Sequence, residues 1–345
     1  MISFVFRHLL ESTLFCVLLS VLACGLRTSA TARYALWLTG IAKFAIPSVL
    51  LAKTGAKIAF FWPAAAWLSS LAERVSAALS KVLVLLPMNM DAAGGTAFRG
   101  VLVVWSLGLF ALVAVWLDRL RRRIHAAAPP TRRELATLAY ARLLLPVRTP
   151  VRLRVSKAAL EPALWGVWRP TITLPKGLSQ TLSAGELEAV LLHELAHARR
   201  FDNLSAIFVH CLVCVFWFHP LLWLVERRLN LERERACDEL VIACGAKARV
   251  YAAGILKVCK FHLWGVAAGV SAMTGADLNH RLENILQGRS SEQLLYVPRL
   301  LVVGLALLMS FVPIAGGYCE QCVSHGPQQL PNNPAVQPQS LRSTK

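Results

Sequence analysis

Hydrophobic and polar positions vary along this chain on more than one scale. On the longest scale lie runs with few or no charges. Gly100 to Leu117 and Leu300 to Tyr318 carry no charged residue, and each approaches the ~20 residues that cross a bilayer core as a helix. Leu9 to Leu26 is broken only by Glu11, and Ala35 to Ala52 only by Lys43 and Pro47. The pattern predicts four membrane spans, with Lys43 snorkelling or packed against another helix. On the shortest scale, VRLRVS (Val151 to Ser156) and RPTITLP (Arg169 to Pro175) alternate with period two and predict strands. Between these scales lies Leu204 to Phe218, an apolar run closed by His219-Pro220, after which Leu221 to Val225 is apolar again. As a helix the first run reaches only about 22 Å, short of the ~30 Å hydrocarbon core. It therefore reads as one arm of a hairpin that dips into the membrane over about 204–228 and returns at Pro220.

Basic residues flank the long runs and set an orientation. DRLRRRIH (Asp118 to His125) follows the third span and is expected on the cytoplasmic side. Counting back, Arg27 to Arg33 is cytoplasmic and the N-terminus is outside. The connection from Lys53 to Phe98 then lies outside, with an apolar interfacial helix of its own. Counting forward, 118–299 is cytoplasmic, the last span is 300–318, and 319–345 is exported. That tail is rich in Pro, Gln, Ser and Asn and is expected to be disordered. Within it, Cys319 and Cys322 can form a small disulfide in an oxidising compartment. VLACG (Val21 to Gly25) loosely resembles a lipoprotein cleavage box, but Glu11 and the lack of a strongly basic start favour a retained span.

Composition agrees with a membrane protein. Charged residues make up 16% of the chain, against roughly 25% in soluble globular proteins, and mean hydropathy is +0.53. The net charge of +18 sits beside apolar segments rather than on one face, and no nucleic-acid recognition motif accompanies it, so no direct nucleic-acid partner is expected. The nine cysteines are scattered and do not form a disulfide framework.

The candidate chemistry lies in LLHELAHARRFDNL (Leu191 to Leu204). On a helix, His193 and His197 project from one face and can reach a single metal ion. Glu194 is rotated about 100° from His193 and can approach a water beside the metal rather than the metal itself. Zinc lowers the pKa of such a water towards ~7, and a neighbouring carboxylate can take its proton. A catalytic zinc needs a third protein ligand. LNLERERACDEL (Leu229 to Leu240) offers Glu232, Glu234, Asp238 and Glu239, and spacing alone does not choose among them. Glu234 and Asp238 share a face at i, i+4, which suits a ligand with a supporting carboxylate, whereas Glu232 and Glu239 read as a solvated face. A span between the two motifs would put His193 and Glu234 on opposite sides of the membrane, and the hairpin avoids this. His210 and His219, on the hairpin, read as packed or interfacial histidines. A strand edge beside the zinc helix would pair with an extended peptide, which points to a protease.

These motifs together resemble the BlaR/MecR integral-membrane metallopeptidases of the gluzincin group. The resemblance runs from about Leu153 to Leu286 through RPTITLPKGL, LSAGELEAVLLHELAHARRFDNL, WFHPLLW, ERERACDE and ADLNHRLENIL. It implies one zinc per chain held by His193, His197 and Glu234, with Glu194 as catalytic base. It further implies that Asp238, Arg200 and Asp202 support the ligands. The expected fold is a multi-pass α-helical membrane bundle (1–117 and 300–318) carrying a cytoplasmic α+β gluzincin-like zinc metallopeptidase domain (118–299). The best-known members sense β-lactams through an exported penicillin-binding domain and cleave a cytoplasmic repressor. The tail after Tyr318 lacks a Ser-x-x-Lys acylation motif, so a separate membrane sensor is expected. The resulting expectation is a regulatory endopeptidase of the bacterial inner membrane, acting on a protein or peptide substrate such as a transcriptional repressor. The alternative is a non-proteolytic signalling scaffold with a structural zinc.

Overall fold

The computed structural model describes residues 2–25, 29–46, 95–123, 127–157, 161–265, 275–287 and 304. The chain divides into two compact units, 1–46 with 88–306 and 47–87 with 307–345, and all the described residues belong to the first. The expected last span (apart from Gly304), most of the Lys53 to Phe98 connection, and the tail with Cys319 and Cys322 lie outside the described residues.

The described unit is mostly helical. In order, its elements are α1 (Ile2–Gly25), α2 (Ala30–Ala42), α3 (Gly95–Arg123), β1 (Ala127–Ala128), α4 (Arg132–Leu144), β2 (Arg152–Ser156), β3 (Ala163–Trp165), β4 (Thr171–Pro175) and α5 (Leu178–Thr181). They are followed by α6 (Ala184–Arg200), α7 (Asp202–Val215), α8 (Pro220–Ala243), α9 (Ala248–Gly265) and α10 (Gly275–Leu286). Two helices are long and apolar enough to cross a membrane, through His8–Gly25 of α1 and Phe98–Asp118 of α3. None of the apolar stretch of α3 is buried, and Phe110 is 73% exposed. Where α3 meets the α7–α8 turn the approach is close. Trp105 Nε1 donates to Val215 O at 2.9 Å, and a Cβ on Gly108 would come within 2.5 to 2.7 Å of the Trp217 indole. Any larger residue there would push the Trp217 indole aside.

The expected span over 35–52 does not form one helix. At thirteen residues α2 is about 20 Å long, and it gives way to a 3-10 turn over Lys43–Ala45. Residues 47–52 lie outside the described ones. Carbonyls at a helix end inside an apolar bundle need donors. Here α1 supplies them: His8 Nε2 donates to Phe44 O at 3.1 Å and Ser12 Oγ to Lys43 O at 3.5 Å. The sequence Val21 to Gly25 forms the last turn of α1.

Both expected strands are present, but neither lies on the edge near the zinc helix. The sheet order is β1-β2-β4-β3; β2 and β4 are parallel, and β1 and β3 are antiparallel to their neighbours. In β2, Leu153 and Val155 point into the core while Arg152 and Arg154 are exposed. The edge beside α6 is β3, whose three residues are too few to show alternation in the sequence.

Helix α6 runs through the centre of the core. Its start is a capping box, in which Ser183 Oγ accepts from Glu186 N at 3.4 Å and Ser183 N donates to Glu186 Oε2 at 2.7 Å. Lys257 of α9 clamps the same carboxylate at 2.7 Å. Leu187, Leu191 and Leu195 follow one another along one face and are fully buried, each stabilising the fold by about 1.5–3 kcal/mol. The helix stops at Phe201, whose left-handed φ of 55° turns the chain directly into α7. The apolar run is then helix to Val215, and Pro220 opens α8 at a position where its missing N–H costs nothing. Two helices thus meet at a turn just before Pro220. Ser183→Ala should lower stability by about 1 kcal/mol, read as a lower thermal midpoint in detergent; an unchanged midpoint would show that the cap contributes nothing.

Candidate metal centre

One turn of α6 separates His193 and His197, and their Nε2 atoms stand 3.2 Å apart with the rings at 87°. Helix α8 brings Glu234 to the same point: its Oε2 is 3.3 Å from His193 Nε2 and its Oε1 3.7 Å from His197 Nε2. Ligand bonds of about 2.0–2.2 Å in a tetrahedron have edges of roughly 3.3–3.6 Å. The separations lie close to that range, with Glu234 facing each histidine through a different oxygen. Two imidazole nitrogens facing each other at 3.2 Å with a carboxylate beside them need a proton among them, and a metal ion can take its place and engage all three. The donor set, two histidines and one carboxylate, suits zinc with one position left for water or substrate.

Each histidine is held from behind. His197 Nδ1 donates to Asp202 Oδ2 at 2.8 Å. Asp202, 2% exposed, also accepts from Arg200 Nε at 3.2 and 3.3 Å and from the Cys237 thiol at 3.4 Å. His193 Nδ1 lies 2.8 Å from the Tyr251 hydroxyl and 3.3 Å from Asp238 Oδ1. Tyr251 donates to Asp238 Oδ1 at 2.5 Å, and Arg281 grips both oxygens of that carboxylate at 2.7 and 2.8 Å. Carboxylate partners of this kind fix the ring orientation and raise ligand basicity. Arg281 Nη1 also comes within 3.6 Å of Glu234.

These contacts shift the charges. Burial opposes the charged form of His193, but the Asp238 and Glu234 carboxylates, accepting from its ring, raise its pKa to about 9. Burial would also raise Glu234, yet His193, His197 and Arg281 hold it well below the usual carboxylate range. Asp202 and Asp238 are likewise held low against burial, by His197 with Arg200 and by Arg281 with His193. Glu194 differs: it is 5% exposed, and burial raises its carboxyl despite the nearby histidines. The cluster and Glu194 line a cleft of about 810 Å³, bounded by β3 on one side and by Trp223, Arg227 and Asn230 of α8 on another. Asn203 pins β3 beside it, donating to Leu164 O at 3.2 Å and Gly166 O at 2.9 Å.

A family model described as BlaR1 peptidase M56 matches residues 3–285. The chain belongs to the BlaR1 peptidase M56 family. Among curated relatives, the regulatory protein BlaR1 of Bacillus licheniformis is 44% identical over 82 residues, covering 24% of this chain and 14% of that protein. The methicillin resistance mecR1 proteins of Staphylococcus aureus (strain Mu50 / ATCC 700699) and Staphylococcus epidermidis are 28% identical over 82 residues, with the same coverage. The aligned part thus spans about a seventh of these relatives.

His193, Glu194, His197, Glu234, Asp238, Arg200 and Asp202 lie in or beside one cluster. Two readings of neighbouring acids change. Glu232 is buried against Arg33 and Arg235, and Glu239 accepts from Ala30 N at 3.0 Å, so neither belongs to a solvated face. His210 bonds Glu226 and His219 bonds Thr13, away from the metal ligands. Tyr251, Arg281 and Cys237 are additional members. Arg281 sits within ADLNHRLENIL and Cys237 within ERERACDE, both among the motifs of the resemblance, whereas Tyr251 gives no signal in the sequence.

In the metal-free site, His193 with a pKa of about 9 carries a proton throughout the neutral range. A metal must displace that proton, so apparent zinc affinity should rise with pH from 7 to 9, about tenfold per unit for one proton, and level off above. Chelator competition at pH 7, 8 and 9 checks this, and a flat or falling profile would contradict it.

Proposed function

We propose that this chain is a zinc metalloendopeptidase of the bacterial inner membrane that cleaves a regulatory protein on the cytoplasmic side. Membership of the M56 family implies a peptidase. The observation that carries the finer reading is Glu194, buried at the base of the cleft one residue after His193 and beside the His193–His197–Glu234 cluster. A structural metal has no use for such a carboxylate.

His193, His197 and Glu234 are the proposed ligands, with Asp202, Arg200 and Asp238 supporting them. Zinc held there supplies Lewis-acid activation of water and of the peptide carbonyl. Glu194, its proton affinity raised by burial, takes a proton from water and delivers it to the departing amide nitrogen. Arg281, on the cleft wall and fixed by Asp238, stabilises negative charge developing on the carbonyl oxygen. The short edge of β3 aligns an extended peptide by main-chain hydrogen bonds. The hairpin α7–α8 seats this site at the membrane surface, with 118–299 cytoplasmic and a separate membrane protein as the source of the signal. A transcriptional repressor suits such a site as substrate, since the matching relatives are named as a regulatory protein and as resistance proteins.

Glu194→Gln should keep one zinc per chain and lower cleavage by at least about 10²-fold. The check is zinc stoichiometry and fragment analysis of the co-expressed proteome, comparing purified wild type with the variant. Zinc in both with fragments from wild type alone supports the peptidase. Equal turnover by the variant removes Glu194 from the mechanism. Zinc in both, without fragments from wild type even when a membrane signalling partner is co-expressed, favours a scaffold with a structural metal.

A further inference from the structure

Arg200 links the α1–α2 hairpin to the metal centre. Arg200, at the end of the zinc helix, is 14% exposed and lies between two partners. On one side its Nε donates to Asp202, whose Oδ2 holds His197 Nδ1. On the other it faces α2: Nη1 donates to Thr31 Oγ1 at 3.4 Å, and the guanidinium sits 5.1 Å from the centre of the Tyr34 ring. The route from α2 to a metal ligand is therefore Tyr34 and Thr31, then Arg200, then Asp202, then His197.

Further links hold α2 in place. Arg33 binds Glu232 Oε2 through Nε at 2.9 Å and Nη2 at 2.8 Å, two residues before the ligand Glu234. Glu239 Oε1 caps the first N–H of α2 at Ala30, and the Tyr34 hydroxyl bonds Ser205 Oγ at 2.5 Å. The α2–α8 interface is the most extensive between any two described elements. A helix serving only as an anchor has no need to direct its polar side chains at the residues flanking two metal ligands.

We propose that Arg200 is a positioning residue through which helix α2 sets the geometry of the metal centre, making the N-terminal membrane hairpin a working part of the M56 site. A shift of α2 moves the Tyr34 ring and Thr31, Arg200 follows, and Asp202 reorients the His197 imidazole. The proposal rests on His197 being a metal ligand.

The experiment uses the full chain in detergent, stripped of metal. It measures zinc affinity by chelator competition, the visible absorption spectrum after cobalt(II) loading, and the thermal midpoint. Arg200→Ala should weaken zinc about tenfold and shift the cobalt bands. Tyr34→Leu, which removes the ring, should weaken zinc about fivefold, and Tyr34→Phe, which keeps the ring and loses only the bond to Ser205, should match wild type. In the background of Arg200→Ala, Tyr34→Leu should cause no further loss. Leu36→Ala, a buried cavity on the same helix, should lower the midpoint while leaving the cobalt spectrum unchanged. The coupling is overturned if Tyr34→Leu binds zinc like wild type, if its loss adds fully to that of Arg200→Ala, or if Leu36→Ala perturbs the spectrum equally. Wild type that takes up no zinc overturns the metal-centre reading itself, and the coupling with it.

Discussion

Two imidazole nitrogens and a carboxylate held within 3.2 to 3.7 Å of one another need a proton or a metal ion among them. The surrounding helices are arranged around that constraint. α6 sets the two histidines one turn apart, and its leucine face anchors the helix in the core. α8 returns from the α7–α8 turn to bring Glu234 to the same point. Each helix needs the other to complete the cluster, and the turn at Phe216–Phe218 before Pro220 makes their meeting possible.

The layer behind the ligands balances the charge. Asp202 and Asp238 are buried carboxylates, each next to a histidine and each held ionised by a guanidinium, Arg200 and Arg281 respectively. The two halves are similar in chemistry but different in origin. Arg281 comes from α10, at the C-terminal side of the described unit, whereas Arg200 comes from the zinc helix itself and leans on the N-terminal hairpin. The N-terminal helices of this M56 chain and the helices that carry the metal cluster are thus joined by polar contacts as well as by packing.

How much of this was legible in the sequence depended on the distance over which each partner acts. His193, Glu194 and His197 could be placed because one helical turn fixes their relation. Glu234 and Asp238 could be narrowed to a shared face but not chosen without the family resemblance. Glu232 and Glu239 looked solvated because their partners, Arg33 and the Ala30 amide, lie in a distant part of the chain. The end of α2 at Ala42 was hidden for the same reason, since His8 and Ser12, which donate to the carbonyls of the turn that follows it, belong to α1. Tyr251 lies in an otherwise apolar helix and reads as core, which it also is. The strands β2 and β4 were evident from alternation, while three-residue β3 carried too little pattern to register, although it borders the cleft.

The brevity of β3 has a consequence for selectivity. Its edge is three residues long, ends at Gly166 with φ 81°, and is already partly engaged by Asn203. For the peptidase proposed above, so short an edge offers too little pairing surface to pull apart a folded partner. A substrate of the proposed peptidase would then have to arrive with its cleavage segment already extended, and the free energy of local opening in that substrate would enter the rate. Two proteins with the same cleavage sequence would then be cut at rates set by how often each one frays.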